Sequence, residues 1–148
     1  MNNYILIKHQ DGDCTFQVKS IELALYETGL DIEIRSNDNR DCCLGFLPSP
    51  SIYLENIAIS SESIGSIQYE EVDIELGWEH ENGEEKEENV SRIYMGEHLP
   101  LNKTKLILSR VSETELSIAL QSTASDFNYY DERAKDNPIE AKVIYKNA

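Results

Sequence analysis

Apolar and polar side chains alternate along most of this sequence, and this alternation limits the fold more than any other feature. Between Leu30 and Arg35, the apolar residues Leu30, Ile32 and Ile34 are separated by charged ones. Successive side chains of a β-strand point to opposite faces, so this pattern is typical of a half-buried antiparallel strand. Helical spacing of apolar residues is almost absent. We therefore predict an all-β fold with little or no helix.

Turn signals divide the alternating segments. Asp11-Gly12 and Asn82-Gly83 suit tight hairpin turns, because their residues tolerate positive φ. Such signals recur about every 8–12 residues, which predicts about nine or ten strands in an antiparallel β-sandwich or a partly open barrel. The chain has 148 residues and no obvious linker, so we expect one domain spanning 1–148. The one short helix candidate covers 131–135.

Three local features are specific enough to compare with a structure. The inward-facing positions change phase near Lys19-Ser20, which predicts a β-bulge there. Val72 to Glu79 has the clearest alternation and is expected to pair with Val90 to Met95 across an acidic hairpin tip. Trp78, the only tryptophan, shares the apolar face of that strand and is expected in the core.

Charge is the unusual part of the composition. The chain has 28 acidic residues against 13 lysines and arginines, a formal net charge of −15. A field of this sign repels nucleic acid and anionic lipid and favours a basic partner. The sequence therefore predicts a basic protein partner, and neither nucleic acid nor membrane. The alternative is that the acidity only keeps the protein soluble.

The acidity peaks between residues 70 and 88, which hold ten carboxylates and one lysine. This segment can serve as a landing surface for a basic protein, or simply as a solvated hairpin tip that prevents aggregation. Aromatic residues in the 125–133 segment can add anchors, since tyrosine is enriched in binding hot spots. The predicted partner-binding residues are Glu79, Glu81, Glu84, Glu85, Glu87 and Glu88, with Tyr129 and Tyr130 as weaker anchors.

No pattern in the sequence indicates catalysis. His9, His80 and His98 are scattered and lack the local spacing of metal ligands. Nucleophile-elbow, phosphate-loop and dinucleotide-binding motifs are all missing from the sequence. We therefore predict a protein that is not an enzyme and that binds no metal or other cofactor.

The sequence also carries expectations about location and function. Neither a signal peptide nor a long apolar run is visible, and the three cysteines include the adjacent pair Cys42 and Cys43. A reduced, cytoplasmic protein is the simplest interpretation. At the level of class, the chain resembles bacterial immunity proteins, which are small, acidic and not exported. This likeness favours neutralisation of a basic toxin by occlusion, and the alternative is a β-sandwich module that binds a carbohydrate or another small ligand.

Overall fold

The fold is all-β. The computed structural model describes residues 3–9, 12–41, 49–78, 80–81, 84–85, 87–124 and 136–147. Within these residues the one helical piece is the 3₁₀ turn Ile64–Ser66. The strands are β1 Tyr4–His9, β2 Gly12–Tyr26, β3 Gly29–Ser36, β4 Ser51–Ile57, β5 Tyr69–Ile74, β6 His80–Glu81, β7 Glu84–Glu85, β8 Val90–Tyr94, β9 His98–Pro100, β10 Asn102–Ser112, β11 Glu115–Ala124 and β12 Asn137–Lys146.

Ten of these strands form one antiparallel sheet, in the order β5-β10-β11-β12-β1-β2-β3-β4-β8-β9. The sheet curls into a half-barrel, so the predicted all-β, partly open barrel is confirmed. Its first and last long strands are neighbours, with Tyr4 opposite Lys142. The short strands β6 and β7 pair only with each other.

Strand β2 joins two halves of the sheet. Asp13 to Gln17 pair with β1, and Val18 to Tyr26 pair with β3. The predicted bulge is confirmed, since the register with β3 shifts between Val18 and Ser20. A bulge bends a strand and increases its twist. We call β5, β10, β11, β12, β1 and the start of β2 the first half, and the end of β2 with β3, β4, β8 and β9 the second half.

The core lies inside the curl, where both halves contribute branched and aromatic side chains. Ile5, Phe16, Ile34, Ile52 and Leu106 are fully buried there. Burying a side chain of this size contributes about 1.5–3 kcal/mol. The intervening residues of the same strands face outward, so both halves present a polar outer face.

The predicted pairing of Val72–Glu79 with Val90–Met95 is wrong. Strand β5 ends at Ile74 and pairs with β10, whereas β8 pairs with β4 and β9. The reason lies at Gly77, whose carbonyl accepts a 2.7 Å hydrogen bond from the Ser91 amide. A Cβ at this position would overlap the carbonyl oxygens of Ser91 and Leu101. The chain therefore passes tightly between β8 and the start of β10 instead of continuing as a strand.

The expectation that Trp78 lies in the core is also wrong. Trp78 is half-buried, and its ring makes an edge contact with His98 at a centroid distance of 6.3 Å. Leu76 has 48% of its surface exposed. Alternation selects a face only where a strand exists, and here the strand has already ended.

A chain of buried hydroxyl groups joins the two halves across the inside of the curl. Ser91 Oγ on β8 lies 3.1 Å from Thr104 Oγ1 on β10, which lies 2.7 Å from Ser122 Oγ on β11. All three residues are buried. Buried hydroxyls are costly without hydrogen-bond partners. These hydrogen bonds therefore favour the curled arrangement in which β8 and β10, near opposite ends of the sheet, come together.

Cys14 is buried on the inner side of β2 and is disulfide-bonded. The prediction that the cysteines are reduced is therefore wrong for Cys14. An odd number of cysteines still leaves room for one disulfide, and Cys14 is the one cysteine within the described residues. No helix among the described residues has the length and apolar character needed to span a bilayer.

Candidate functional site

The outer face of the second half carries a row of side chains that no single strand reveals. Glu22, Glu33, Tyr53 and Arg92 are successive register partners on β2, β3, β4 and β8. Directly opposed residues of neighbouring strands lie on the same face with their Cβ atoms about 5 Å apart. Residues far apart in sequence therefore form one continuous surface.

This row runs through an open groove with a volume of about 490 Å³. We call it the acidic groove. Its polar lining consists of four carboxylates, three tyrosines and one arginine: Glu22, Asp31, Glu33, Glu55, Tyr26, Tyr53, Tyr145 and Arg92. The volume is within the range of small-molecule sites, and the opening leaves room for a protein side chain.

Arg92 is the one cation of this lining, and two neighbours hold it in place. Its Nε and Nη2 atoms each lie 2.6 Å from Glu55 Oε1. Its guanidinium carbon lies 4.6 Å from the centre of the Tyr53 ring, the geometry of a cation–π contact. The groove thus already contains one arginine bound between a carboxylate and a tyrosine.

An aromatic cluster closes one end of the groove around His98. The ring centre of His98 lies 4.7 Å from that of Tyr94 and 6.1 Å from that of Tyr53. Arg92 also contacts the imidazole. Partial burial of the ring and the Arg92 charge lower the pKa of His98, and Glu55 opposes them. The lowered pKa favours the neutral form of His98, the form without positive charge.

The electrostatic balance of the groove is negative, with four carboxylates against one guanidinium. Arg35 beside it is already paired with Glu33, at 2.5 Å from Nη2 to Oε1. Neighbouring charges of one sign in a concave surface reinforce one another and attract ligands of the opposite sign. The arrangement suits a cationic side chain far better than an anion.

The predicted acidic hairpin is present in the backbone. Glu81 on β6 is opposite Glu84 on β7, and His80 is opposite Glu85. Glu87 and Glu88, which follow, are exposed. The predicted residues Glu79, Tyr129 and Tyr130 lie outside the described residues, so their part in a site stays a prediction.

Asn56 links the base of this hairpin to the acidic groove. Its Nδ2 donates a 2.7 Å hydrogen bond to the Glu87 carbonyl, and its backbone amide donates a 2.8 Å bond to Asp31 Oδ1. Asp31 lines the groove. The segment after the hairpin and the groove are therefore adjacent parts of one acidic surface.

The acidic groove was not predicted from the sequence. Alternation places Asp31, Glu33 and Arg35 on the polar face of β3, and the structure confirms this. Alternation does not show which strands neighbour β3, so Glu22, Tyr53 and Arg92 were not expected beside it. Alternation within a strand predicts which residues share a face of the sheet. It does not predict the order of the strands, which depends on contacts between residues far apart in sequence.

In the described part of the chain, no group of three or more histidine, cysteine, aspartate or glutamate residues is arranged to hold a metal ion. The carboxylates of the groove are spread along three strands, β2, β3 and β4, among tyrosines and one arginine. Comparison with known protein families, curated proteins and solved structures finds no match for this chain.

Proposed function

We propose that this chain is a non-catalytic acidic domain that binds a basic protein through the acidic groove and the adjoining hairpin. The observation that carries the proposal is the groove itself, in which four carboxylates and three tyrosines surround an open volume. The net charge of −15 extends the attraction beyond the groove. Complementary fields of this kind raise association rates by about 10- to 1000-fold.

The contact between Arg92 and Tyr53 indicates how a partner side chain would bind. An arginine from the partner can stack on Tyr26 or Tyr145 and pair with Glu22 or Asp31, as Arg92 does with Tyr53 and Glu55. Arginine suits such a site because its planar guanidinium stacks on rings and binds carboxylates bidentately. The partner surface should therefore be rich in arginine.

The narrower form of the proposal is an immunity-type protein that neutralises a basic toxin, such as a nuclease, by occlusion. The acidic surface would cover the cationic region that the nuclease uses to bind nucleic acid. Pairs of this type reach dissociation constants near 10⁻¹³ M or tighter, so a small domain is sufficient. A basic toxin encoded beside the gene for this chain is the first partner to try.

The test measures association of the full chain with that partner by stopped-flow fluorescence at low and high salt. Glu22→Lys and Glu33→Lys together should slow association at least about tenfold at low salt, with the difference shrinking as salt rises. Glu115→Lys on the first half is the matched control and should change little. Binding that survives reversal of the groove and also of Glu87 and Glu88 would contradict the proposal.

A carbohydrate or another small ligand is the second candidate, and the tyrosines of the groove favour it. Tyr26 is 59% exposed, and a flat exposed ring can stack on a sugar. A ligand at 100 times its dissociation constant should add about 2.7 kcal/mol to the free energy of unfolding. A glycan screen without any thermal stabilisation would remove this candidate.

The cytoplasmic location also stays a proposal. The disulfide at Cys14 bears on it, because disulfides persist mainly in oxidising compartments. Counting free thiols in protein taken rapidly from its native compartment tests the point. Three free thiols would support the cytoplasm, and one would support an oxidising compartment.

A further inference from the structure

The outer face of the first half holds a second cavity whose charge is opposite to that of the acidic groove. Its volume is about 310 Å³. We call it the lysine pocket, because Lys8, Lys103 and Lys105 all line it. The chain has only 13 lysines and arginines in 148 residues, so three around one small cavity is a local concentration of positive charge, with Glu71 and Asp73 of β5 beside Lys105.

The backbone at Lys103 is the second observation. Four described residues other than glycine have positive φ, and three of them are asparagines, which tolerate that region. Lys103 is the fourth, with φ 52°. A long side chain in this region is strained, and strain of this kind is concentrated at functional sites.

The strained residue Lys103 lies in a bulge of β10 at the edge of the pocket. The register of β10 with β11 shifts between Asn102 and Lys105. Bulges re-aim side chains and are common beside functional sites. Here the Lys103 amide is held by the Glu75 carbonyl at 2.9 Å, while its exposed side chain lines the pocket.

The charges of the pocket are available to a ligand to different degrees. Lys105 Nζ is 2.7 Å from Glu71 Oε1, an exposed pair that a ligand can replace. Glu140, the one carboxylate among the lining residues, accepts a 2.9 Å hydrogen bond from the Tyr4 hydroxyl. No ion pair to Lys8 or Lys103 is present within the described residues.

The remaining lining residues define the class of ligand. Gln121 offers a side-chain amide, the Thr123 hydroxyl already donates a 3.2 Å hydrogen bond to the Asn102 carbonyl, and Leu6 and Pro138 form an apolar wall. Lysine binds phosphate as a point charge, and three lysines match the higher charge of a phosphate better than the single charge of a carboxylate. We propose that the lysine pocket binds a small organic molecule through a phosphate group, with its organic part against Leu6 and Pro138.

The test uses the full chain and amide NMR titrations at constant ionic strength. Inorganic phosphate and phenyl phosphate are the probes, and acetate is the carboxylate control. Both phosphates should give saturable shifts at Lys8, Lys103, Gln121 and Thr123, with phenyl phosphate binding more tightly because its ring meets the apolar wall. Acetate should give weak shifts that do not saturate.

Lys103→Asn is the informative variant, because asparagine accepts positive φ but carries no charge. Its affinity for phenyl phosphate should fall at least about tenfold, which is the size of one charge-assisted hydrogen bond. Its melting temperature should stay equal or rise, since the strain is relieved. A residue with a merely structural role would not combine these two results.

Lys146→Gln is the matched control, since this lysine is exposed on β12, lies six residues from Glu140 and does not line the pocket. This substitution should leave the affinity within about twofold, because an exposed charge beyond the Debye length is screened. The proposal is wrong if Lys103→Asn keeps the wild-type affinity. It is also wrong if the control loses as much affinity, or if acetate saturates the same amides as the phosphates.

Discussion

The outer faces of the two halves are built by the same alternation but carry opposite chemistry. The second half gathers four carboxylates around one arginine, and the first half gathers three lysines around one carboxylate. In each case the members come from different strands and meet only through the register of the sheet. The comparison teaches that a net charge of −15 describes the long-range field of this protein and not its local sites.

The largest expected loss of stability comes from a substitution at Gly77, where the chain passes between β8 and the start of β10. Gly77→Ala places a Cβ against the carbonyl oxygens of Ser91 and Leu101. The free energy of unfolding should fall by about 3 kcal/mol or more, because backbone atoms must move. Urea denaturation measures this loss. Gly65→Ala is the control, since no atom lies within 4 Å of the added Cβ, and equal unfolding midpoints for the two variants would contradict the role of Gly77.

A smaller loss is expected at the hydroxyl chain that joins the halves. Thr104→Val keeps the shape but removes the hydroxyl that contacts the buried Ser91 hydroxyl, while Ser122 keeps its 2.9 Å hydrogen bond to the Asn102 carbonyl. The free energy of unfolding should fall by about 1–3 kcal/mol. Thr15→Val, at an exposed strand position, should change it by less than about 0.5 kcal/mol in the same measurement. If both substitutions have the same effect, the hydroxyl chain does not hold the halves together.

Acidic pH should distinguish the structural carboxylate of the first half from the exposed ones of the second. Burial raises the pKa of Glu70, but hydrogen bonds from the hydroxyls and amides of Ser60 and Ser61 outweigh it and lower the pKa below 4.5. Such a group stabilises the fold above its unfolded pKa, and this contribution disappears as pH falls through the folded pKa. Thermal melts below pH 4.5 should therefore show a drop in melting temperature that is smaller in Glu70→Gln. A drop of equal size in both proteins would assign the acid sensitivity to other groups.

The smallest effect on stability is expected at the ion pairs of the two faces, since Arg92–Glu55 is half-buried and Lys105–Glu71 is exposed. Arg92→Gln removes the first pair and the contact with Tyr53 and should cost about 1 kcal/mol, and Lys105→Gln should cost less. Arg92→Gln should speed association with a basic partner, because it makes the groove more negative. Lys105→Gln should not, since it acts on the opposite face. Equal association rates of the two variants in stopped-flow experiments would remove the distinction between the faces.

Local features of the fold were predictable from the sequence. The polar face of β3 was predicted as observed, and the phase change at Lys19-Ser20 marked the bulge of β2. Each of these follows from side-chain alternation within one strand. Where the pattern continued beyond the strand, at Leu76 and Trp78, the prediction was wrong.

The sites were much less predictable than the strands. The predicted acidic hairpin rests on a local run of glutamates, whereas the groove beside it depends on β8 lying next to β4, and the lysine pocket depends on β1 lying within reach of β10. Strand order is decided by the packing of the whole core, which one sequence does not display. The strain at Lys103 is equally hidden, because nothing in Asn102-Lys103-Thr104 distinguishes it from an ordinary polar segment.

The pairing of β1 with β12 has a consequence for how the protein acquires its fold. Tyr4 and Glu140, which form a hydrogen bond across that pair, are 136 positions apart. During synthesis the edge of β1 that pairs with β12 therefore stays unpaired until residues 137–146 have been made. Contacts of such long range slow folding, and a bare edge invites pairing with other nascent chains. The negative charge of the sequence should then reduce aggregation during synthesis, because nascent copies with the same charge repel one another.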